Sequence, residues 1–243
     1  MGDHEFVKSN RRKKVDGILV VDVGGTHVKV LASGCKDERK IDSGPEMTAA
    51  RMVRSVRRAA AGWSYDRVSI GYPGPVTLGH PLREPFNLGG GWVGFDFAKA
   101  FGCPVRVVND AAMQALGSYE GGRMLFLGLG TGLGAAMIDD GVLEPMELAH
   151  LPYRHGTFED YVGARGLKRY GKRRWRRFVT DVSNRLREAL QAEYVVLGGG
   201  NAKKVKVLPP EARLGNNENA FAGGFRLWED RPSTRKTASG PGR

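Results

Sequence analysis

The sequence predicts an α/β fold with two lobes, chiefly because it contains two glycine-rich hairpins in a mixed order of strands and helices. The first hairpin is DVGGTHVK (22–29), which joins apolar runs at 18–21 and 28–31. The second is MLFLGLGTGLGAAMI (124–138), where glycines again separate two apolar runs. An apolar run, a glycine turn and a second apolar run are typical of a β-hairpin. Two such hairpins, roughly a hundred residues apart, predict that each lobe contributes one.

Apolar runs and helical periodicity predict the order of the elements. Strands are expected at 17–23, 27–33, 67–71, 104–108, 124–129, 133–139 and 194–197. Helices are expected at about 47–62, 110–120, 158–169, 172–192 and 217–227. The helix at 172–192 has the clearest pattern, since its apolar residues recur every three or four positions: Trp175, Val179, Val182, Leu186, Ala189 and Leu190.

Composition also divides the chain into regions. Residues 1–14 predict a flexible basic arm, and the polar tail EDRPSTRKTASGPGR (229–243) predicts disorder. Between them we expect an N-terminal lobe at 15–109, which holds the first hairpin. The second hairpin then belongs to a C-terminal lobe at 110–228.

The bulk composition narrows the class of protein. With 243 residues, 41% hydrophobic content and 35 glycines, the chain can form one sizeable core or two small ones. Its two cysteines, Cys35 and Cys103, have no CxxC partner and predict reduced thiols. No apolar run approaches the roughly 18 residues of a membrane span, and the charged N-terminus has no signal-peptide core. We therefore expect a cytoplasmic protein with no membrane association.

Positive charge is concentrated in one segment. The formal net charge is +12, and RGLKRYGKRRWRRF (165–178) has eight basic residues and no acidic one. Such a run predicts a polyanionic partner. The three alternatives are a nucleic acid, an anionic membrane and an inorganic polyanion. A solvated basic helix face is the alternative.

The first hairpin has the groups that phosphoryl transfer needs. Gly24 and Gly25 permit close backbone approach, while Thr26 adds a hydroxyl and Lys29 an ammonium. Asp22 supplies a carboxylate for Mg²⁺ at the strand end. An ordinary tight hairpin is the alternative for this motif. In the second hairpin the corresponding alternative is a glycine-rich turn in one continuous sheet.

Asn109 and Asp110 lie where an apolar strand meets a helix. Apolar surroundings at a strand end can raise the basicity of a carboxylate that points into a cleft. The alternative is a helix N-cap, and both roles can coexist, with Asn109 as the cap and Asp110 facing the cleft.

Three further segments contain candidate binding residues. Glu147 and His150 are three apart, so on a helix or tight turn they share a face and could bind a vicinal diol. A metal pair is the alternative, although no further ligand lies at zinc spacing, and His155 does not complete a site. Glu159 is expected on the solvated helix surface, with a role in the site as the alternative. Asn87 is either a loop turn residue or a ligand-binding one. In VVLGGGNAKK (195–204), the glycines Gly198, Gly199 and Gly200 either admit a ring or phosphate or form a plain connection to a helix.

These motifs, in this order over about residues 17–228, resemble the ROK family of sugar kinases and repressors. DVGGTHVK resembles its first phosphate motif, Asn109–Asp110 its sugar and catalytic pair, GLGTGLG its second phosphate motif and LGGG its adenosine loop. Within the family, ELAHLPY and GKRRWRR are most similar to the polyphosphate glucokinase subgroup. The resemblance implies a two-lobed actin-like ATPase (ribonuclease H-like) fold with a cleft between the lobes.

The resemblance also implies roles. Asp110 would be the general base, and four more residues would bind the sugar: Asn87, Asn109, Glu147 and His150. Asp22 would act near Mg²⁺, and the phosphates would be lined by Gly24, Gly25, Thr26, Lys29, Gly130, Thr131 and Gly132. The donor would contact the LGGG glycines and, if it is polyphosphate, four basic residues: Lys172, Arg173, Arg174 and Arg177.

The chain also departs from the family pattern. Many relatives have a CxCGxxGC zinc motif that this chain lacks, so we expect Mg²⁺ but no zinc. The chain is shorter than many relatives after LGGG, and 14 N-terminal residues leave no room for the helix-turn-helix of the repressors.

The sequence thus predicts a hexose kinase that phosphorylates glucose at its 6-hydroxyl from polyphosphate, ATP or both. We expect a homodimer and no nucleic-acid partner. The alternative is a non-catalytic polyanion- or nucleic-acid-binding protein on a degenerate kinase scaffold.

Overall fold

The computed structural model describes residues 17–216 and 218–229. The predicted basic arm (1–14), and the predicted tail (229–243) except for Glu229, lie outside the described residues. Two five-stranded sheets dominate this part of the chain. No helix within it is long and apolar enough to cross a membrane.

The two sheets have the same topology. The first has the order β3-β2-β1-β4-β7 and the second β10-β9-β8-β13-β14. The strands of the first are β1 (Ile18–Val23), β2 (His27–Ala32), β3 (Arg39–Asp42), β4 (Arg67–Tyr72) and β7 (Val105–Asn109). Those of the second are β8 (Arg123–Leu129), β9 (Leu133–Asp139), β10 (Val142–Met146), β13 (Tyr194–Gly198) and β14 (Ala212–Leu214). In each sheet the first three strands in sequence are antiparallel and the later two run parallel to the first.

Short strand pairs and helices connect these sheets. The short pairs are β5 (Val76–Thr77) with β6 (His80–Pro81), and β11 (Pro152–Tyr153) with β12 (Gly156–Thr157). The helices are α1 (Ala49–Ala59), α2 (Phe97–Phe101), α3 (Asp110–Ser118), α4 (Phe158–Val162), α5 (Ala164–Ala189) and α6 (Asn219–Arg226). A short 3₁₀ helix spans Ala202–Lys204.

Each sheet has its own core, and α3 lies between them. The first sheet packs on α1 and α2, with Trp92 fully buried beside them. The second packs on α4 and α5, with Trp175 fully buried. Three alanines of α3 pack against the second sheet, while Met113 contacts the cluster around Val20 of β1.

The last helix returns to the first sheet. A Cβ on Gly224 of α6 would lie 2.3 Å from the Val20 side chain, so only glycine permits this approach. The Gly224 carbonyl accepts a hydrogen bond from Ser69 Oγ at 2.6 Å. Because α6 packs on β1, the chain from 110 to 228 spans both sheets rather than the second one alone.

Some predicted element bounds were wrong. The helix predicted at 158–169 ends at Val162, where Gly163 is extended, and α5 then absorbs the helix predicted at 172–192. Gly171 interrupts α5 with φ 70°. The pattern did not predict β3, β10, β14 or α2, because they are short or carry mostly polar residues.

Candidate active site

The first glycine hairpin is fixed by its neighbours. Asp22 ends β1 opposite Lys29 of β2, so both side chains lie on one face of the sheet. The Gly24 N–H donates to the His27 carbonyl at 3.0 Å. Ser43 binds both sides of the turn, since its Oγ donates to the Gly24 carbonyl at 2.5 Å and its N–H to the Thr26 carbonyl at 2.9 Å. The turn itself stays exposed to the cleft.

The second hairpin is supported by the LGGG loop. Asn201 is hydrogen-bonded to the hairpin, because its N–H donates to the Leu129 carbonyl at 2.9 Å and its Nδ2 to the Gly130 carbonyl at 3.1 Å. Gly199, at φ +79°, packs so closely that a Cβ there would lie 2.8 Å from the Leu129 oxygen. The LGGG loop, predicted to contact the nucleotide, therefore also supports the turn of the second glycine hairpin.

The start of α5 closes the other side of this hairpin. The Ala164 N–H donates to the carbonyls of Gly130 and Thr131, both at 3.1 Å. A Cβ on Gly163 would lie 2.8 Å from the Thr131 oxygen. The basic helix thus begins in direct contact with the second glycine turn.

Both hairpins face one cavity. Its volume is about 480 Å³, and its lining residues come from the first hairpin, the second hairpin and the loops between: Gly25, Thr26, Pro45, Phe86, Asn87, Leu88 and Thr131. The structure therefore brings Thr131 of the second sheet to the same cleft as Gly25 and Thr26 of the first.

Asn109 and Asp110 lie at the start of α3, and Asn109 has the capping role that the sequence left open. Asn109 caps α3, because its Oδ1 accepts the N–H groups of Ala111 and Ala112 at 2.9 and 3.3 Å. Its Nδ2 donates to the Gly74 carbonyl at 3.0 Å, which leaves one amide hydrogen for a ligand. Asp110 begins the helix, and its Oδ1 accepts the Ala111 N–H at 2.7 Å.

Asp22 and Asp110 are two buried carboxyl groups whose pKa values are both raised. The pKa of Asp110 is about 7, raised chiefly by burial and then by the Asp22 charge, with a smaller contribution from Glu147; the Ala111 N–H opposes the rise. Burial likewise raises the pKa of Asp22 to about 6, against the opposing charge of Lys29. A basic carboxyl group therefore lies beside a second acid at the end of the first sheet.

Gly71 makes this approach possible. It pairs with Asp22 in the β1–β4 register, and a Cβ there would lie 2.4 Å from Met113 Cε and 3.6 Å from Asp110 Cα. A side chain at Gly71 would therefore displace the end of the buried Met113 side chain. The sequence analysis did not single out this position, because a glycine inside a strand has no distinctive pattern.

Glu147 and His150, which were predicted to share a face, have different neighbours in the structure. Glu147 follows β10 and contributes negative potential at Asp110, while His150 lies in the next turn with its Nδ1 4.0 Å from Glu159 Oε1. Glu159, expected on the solvated surface, is instead 34% exposed, and its Oε2 would lie 2.2 Å from a Cβ on Gly132. The sequence analysis gave Glu159 a site role only as the alternative, because only the turn at 147–157 brings it to the second hairpin.

Asn87 lies in a loop anchored at both ends. Glu84 accepts the N–H groups of Trp92 and Val93 at 3.1 to 3.3 Å, and Trp92 Nε1 donates to the Gly89 carbonyl at 2.7 Å. Asn87 itself contacts Gly25, since a Cβ on that glycine would lie 3.3 Å from Asn87 Cβ.

The basic run lies on the solvent side of α5, as its periodicity predicts. Trp175 faces the core and its Nε1 donates to the Val162 carbonyl at 2.8 Å. Two basic residues are partnered: Arg165 with Asp160 at 3.2 Å and Arg176 with the Lys204 carbonyl at 2.6 Å. The six others are exposed: Lys168, Arg169, Lys172, Arg173, Arg174 and Arg177.

Three of the candidate ligand groups have less freedom than the sequence suggests. Lys29 Nζ lies 3.9 Å from Glu38 Oε1, so the Glu38 carboxylate partly neutralises its charge. Gly198 and Gly199 are packed against Phe126 and Leu129, while Gly200 has open space around it. Of the LGGG glycines, Gly200 is therefore the one with room for a donor group.

No group of three or more His, Cys, Asp or Glu side chains within the described residues is placed to hold a metal ion. The absence of zinc stays a prediction. Asp22 offers a carboxylate oxygen, the ligand type that Mg²⁺ prefers, and its raised pKa shows a buried acid that a cation would stabilise in the ionised form.

Known proteins resemble this chain in sequence. No family model matches it. The polyphosphate glucokinase of Mycobacterium leprae (strain TN) is 27% identical over 207 residues, which cover 77% of this chain and 60% of that protein. The polyphosphate glucokinase of Mycobacterium tuberculosis (strain CDC 1551 / Oshkosh) is 25% identical over 206 residues, which cover 76% of this chain and 77% of that protein. The match thus spans less than two thirds of the first relative's length.

Solved structures share the fold. The inorganic polyphosphate/ATP-glucomannokinase from Arthrobacter sp. strain KM matches with a TM-score of 0.69 at 22% identity, over 86% of this chain and 97% of that one. A ROK-family glucokinase from Streptomyces griseus, in complex with glucose and AMPPNP, matches with a TM-score of 0.70 at 18% identity, over 87% and 98%. The chain has the two-lobed actin-like fold of these sugar kinases, and polyphosphate glucokinases are among the proteins similar to it in sequence.

Proposed function

We propose that this protein transfers the terminal phosphoryl group of polyphosphate, ATP or both to the 6-hydroxyl of glucose. The observation that carries the proposal is the Asp22–Asp110 pair at the end of the first sheet, beside the first of two glycine hairpins that border one cavity. Phosphoryl transfer needs hydrogen-bond donors for the phosphates, a ligand for a cation and a base, which the hairpins, Asp22 and Asp110 would supply. The named relatives support the same activity.

Asp110 is the general base in this proposal. With a pKa of about 7 it is partly ionised at neutral pH and still basic enough to accept a proton. The sugar hydroxyl oxygen attacks the terminal phosphorus, the bond from that phosphorus to the bridging oxygen breaks, and the hydroxyl proton passes to the Asp110 carboxylate. The fixed start of α3 holds the carboxylate in place, because Asn109 caps the same helix.

Asp22 would hold Mg²⁺ together with phosphate oxygens of the donor. The ion, when bound, neutralises charge on the transferred phosphoryl group. Asp22 remains close enough to raise the pKa of Asp110 in the free protein.

The sugar would lie between the loop of Asn87 and the segment from Glu147 to Glu159. Asn87 and the free amide hydrogen of Asn109 would bind hydroxyls from the first-sheet side. Glu147 and His150 would bind them from the other, and we add Glu159 because it faces both His150 and the second hairpin. Charge-assisted hydrogen bonds from carboxylates to hydroxyls are stronger than neutral ones.

The donor phosphates would lie on backbone N–H groups of the hairpins and on nearby polar side chains. The first hairpin supplies Gly24, Gly25, Thr26 and Lys29, and the second Gly130, Thr131 and Gly132. Gly200 is the member of the LGGG loop with space for an adenosine group, with Gly198 and Gly199 shaping the loop behind it.

Polyphosphate use is supported by the position of the basic run. The helix starts against the second hairpin at Ala164, so its exposed basic residues lead away from the phosphate turns. After the break in α5 at Gly171, the helical stretch from Lys172 to Arg177 covers roughly 8 Å at 1.5 Å per residue. A nucleotide triphosphate needs only a few cationic contacts, whereas a longer polyanion would follow the whole run.

A coupled assay tests the proposal. Purified protein, glucose, Mg²⁺ and either donor are incubated with a dehydrogenase that oxidises only glucose 6-phosphate. We expect product from polyphosphate, ATP or both. Salt-sensitive polyphosphate binding with no product from either donor would refute the kinase and leave the non-catalytic polyanion-binding alternative. We also propose a homodimer, which sedimentation velocity would test.

A further inference from the structure

Phe86 is the most exposed large apolar side chain in the described part of the chain. Its exposed fraction is 97%, although its neighbours are held in place: Pro85 is buried and Leu88 packs against the first core. Single exposed apolar residues are common on proteins and by themselves imply nothing. The position of this one is what matters.

The loop that carries Phe86 is anchored on both sides. Glu84 binds the backbone of Trp92, and the Tyr72 hydroxyl donates to the Arg83 carbonyl at 2.7 Å. Trp92 is fully buried. The ring is therefore presented by fixed backbone.

The ring also lines the cleft. Phe86 borders the same cavity of about 480 Å³ as Asn87, Gly25, Thr26 and Thr131. An aromatic face beside an amide and two hydroxyls combines an apolar contact with hydrogen-bonding groups, as small-molecule sites do.

Three possible occupants of the cleft differ in what they offer this ring. A phosphate chain has no apolar surface, so it gains nothing from a phenyl face. A nucleotide base could stack on it, but the predicted adenosine loop lies on the second sheet at the end of β13, with Gly200 as its open position. A pyranose has a face of C–H groups, whose slightly positive hydrogens suit the negative face of an aromatic ring.

We propose that Phe86 is a sugar-binding residue whose ring stacks on the C–H face of the hexose while Asn87 beside it binds a hydroxyl. This inference rests on the proposed hexose kinase function. It adds an aromatic contact to the polar groups proposed above to bind the sugar, and it assigns the ring to the sugar acceptor rather than to the phosphoryl donor.

Truncation of the ring tests the inference. Phe86→Ala should raise KM for glucose about ten- to thirtyfold, as expected for loss of one stacking contact, with kcat changed less than about threefold. KM for the phosphoryl donor should stay unchanged. Phe86→Tyr keeps the ring face and should stay within about threefold of the wild type in KM for glucose.

Leu78 provides a matched control. It is 93% exposed, lies in the turn between β5 and β6, and is not among the cavity-lining residues, so Leu78→Ala should leave both KM values unchanged. Calorimetric titration of glucose into each variant without donor gives the same comparison independently of turnover. Thermal unfolding should be equal in all variants, because neither side chain is packed.

The outcomes separate the inference from the function on which it rests. An unchanged glucose KM in an active Phe86→Ala variant would overturn the inference and leave the kinase standing. A rise in KM for ATP alone would assign the ring to the donor, and a change in self-association alone would assign it to a contact between copies; either overturns the inference. Wild-type protein that neither binds nor phosphorylates glucose would refute the function as well.

Discussion

Replacement of the proposed base should stabilise the protein at neutral to alkaline pH while it abolishes turnover. The pKa of Asp110 is raised from 3.8 to about 7 in the folded protein, chiefly by burial and then by the Asp22 charge. The folded state therefore holds this proton more tightly than the unfolded state. Stability from this group is fully present below pH about 4, declines as the pH rises toward about 7 and stays low above it.

The size of the effect follows from the shift. A rise of roughly three units corresponds to about 4 kcal/mol above pH 7, of which about 1.5 kcal/mol is already lost at pH 5. Asp110→Asn removes the charge and keeps the amide oxygen that accepts the Ala111 N–H. The variant should be more stable than the wild type, and this difference in the free energy of unfolding should be larger at pH 8 than at pH 5. Allowing for partial solvent access, we expect it to be larger by about 1–3 kcal/mol.

Urea unfolding at both pH values, with a chelator present so that no cation occupies the site, measures this difference. Asp140→Asn is the control, because Asp140 is exposed in the turn after β9, at the end of that strand away from the hairpin. Asn also tolerates the positive φ of that position. An Asp110→Asn variant whose relative stability is the same at pH 5 and pH 8 would refute the view that burial makes this carboxyl basic.

Three further predictions concern catalysis and binding. The value of kcat/KM for glucose should fall as the pH decreases through about 7, because Asp110 must be ionised to accept a proton; a profile flat down to pH 5 would contradict this role. Four exposed basic residues of α5 are Lys172, Arg173, Arg174 and Arg177. Their replacement by Ser should raise KM for polyphosphate much more than KM for ATP and flatten the salt dependence of the polyphosphate KM. The matched control replaces the four exposed arginines of α1, which are Arg51, Arg54, Arg57 and Arg58. An equal rise in KM for both donors in the α5 variant would argue against polyphosphate binding along α5. Purified protein should contain no stoichiometric zinc, and His150→Ala should mainly raise KM for the sugar; one tightly held zinc per chain would refute the first half of that prediction.

Local sequence signals were enough for the features that depend on neighbouring residues. Both hairpins, and the change from strand to helix at Asn109–Asp110, follow from apolar runs, glycines and a capping residue within a few positions. The prediction that each lobe contributes one hairpin agrees with the matching strand orders of the two sheets.

Features that depend on distant segments could not be predicted in this way. Gly71 matters only because α3 crosses the strand beside it, and Glu159 reaches the second hairpin only because the turn at 147–157 folds back. The return of α6 to β1 depends on Gly224 and on its close packing against Val20. In each case the informative contact joins residues whose sequence contexts are unremarkable on their own.

The most direct test of the account is the turnover of Asp110→Asn with glucose and each donor. We expect kcat to fall about 10²–10⁴-fold while the circular dichroism spectrum and glucose binding are preserved, because the base is lost and the fold is not. Asp140→Asn should retain wild-type kcat under the same conditions. Near-normal turnover in a correctly folded Asp110→Asn variant would contradict the assignment of Asp110 as the base.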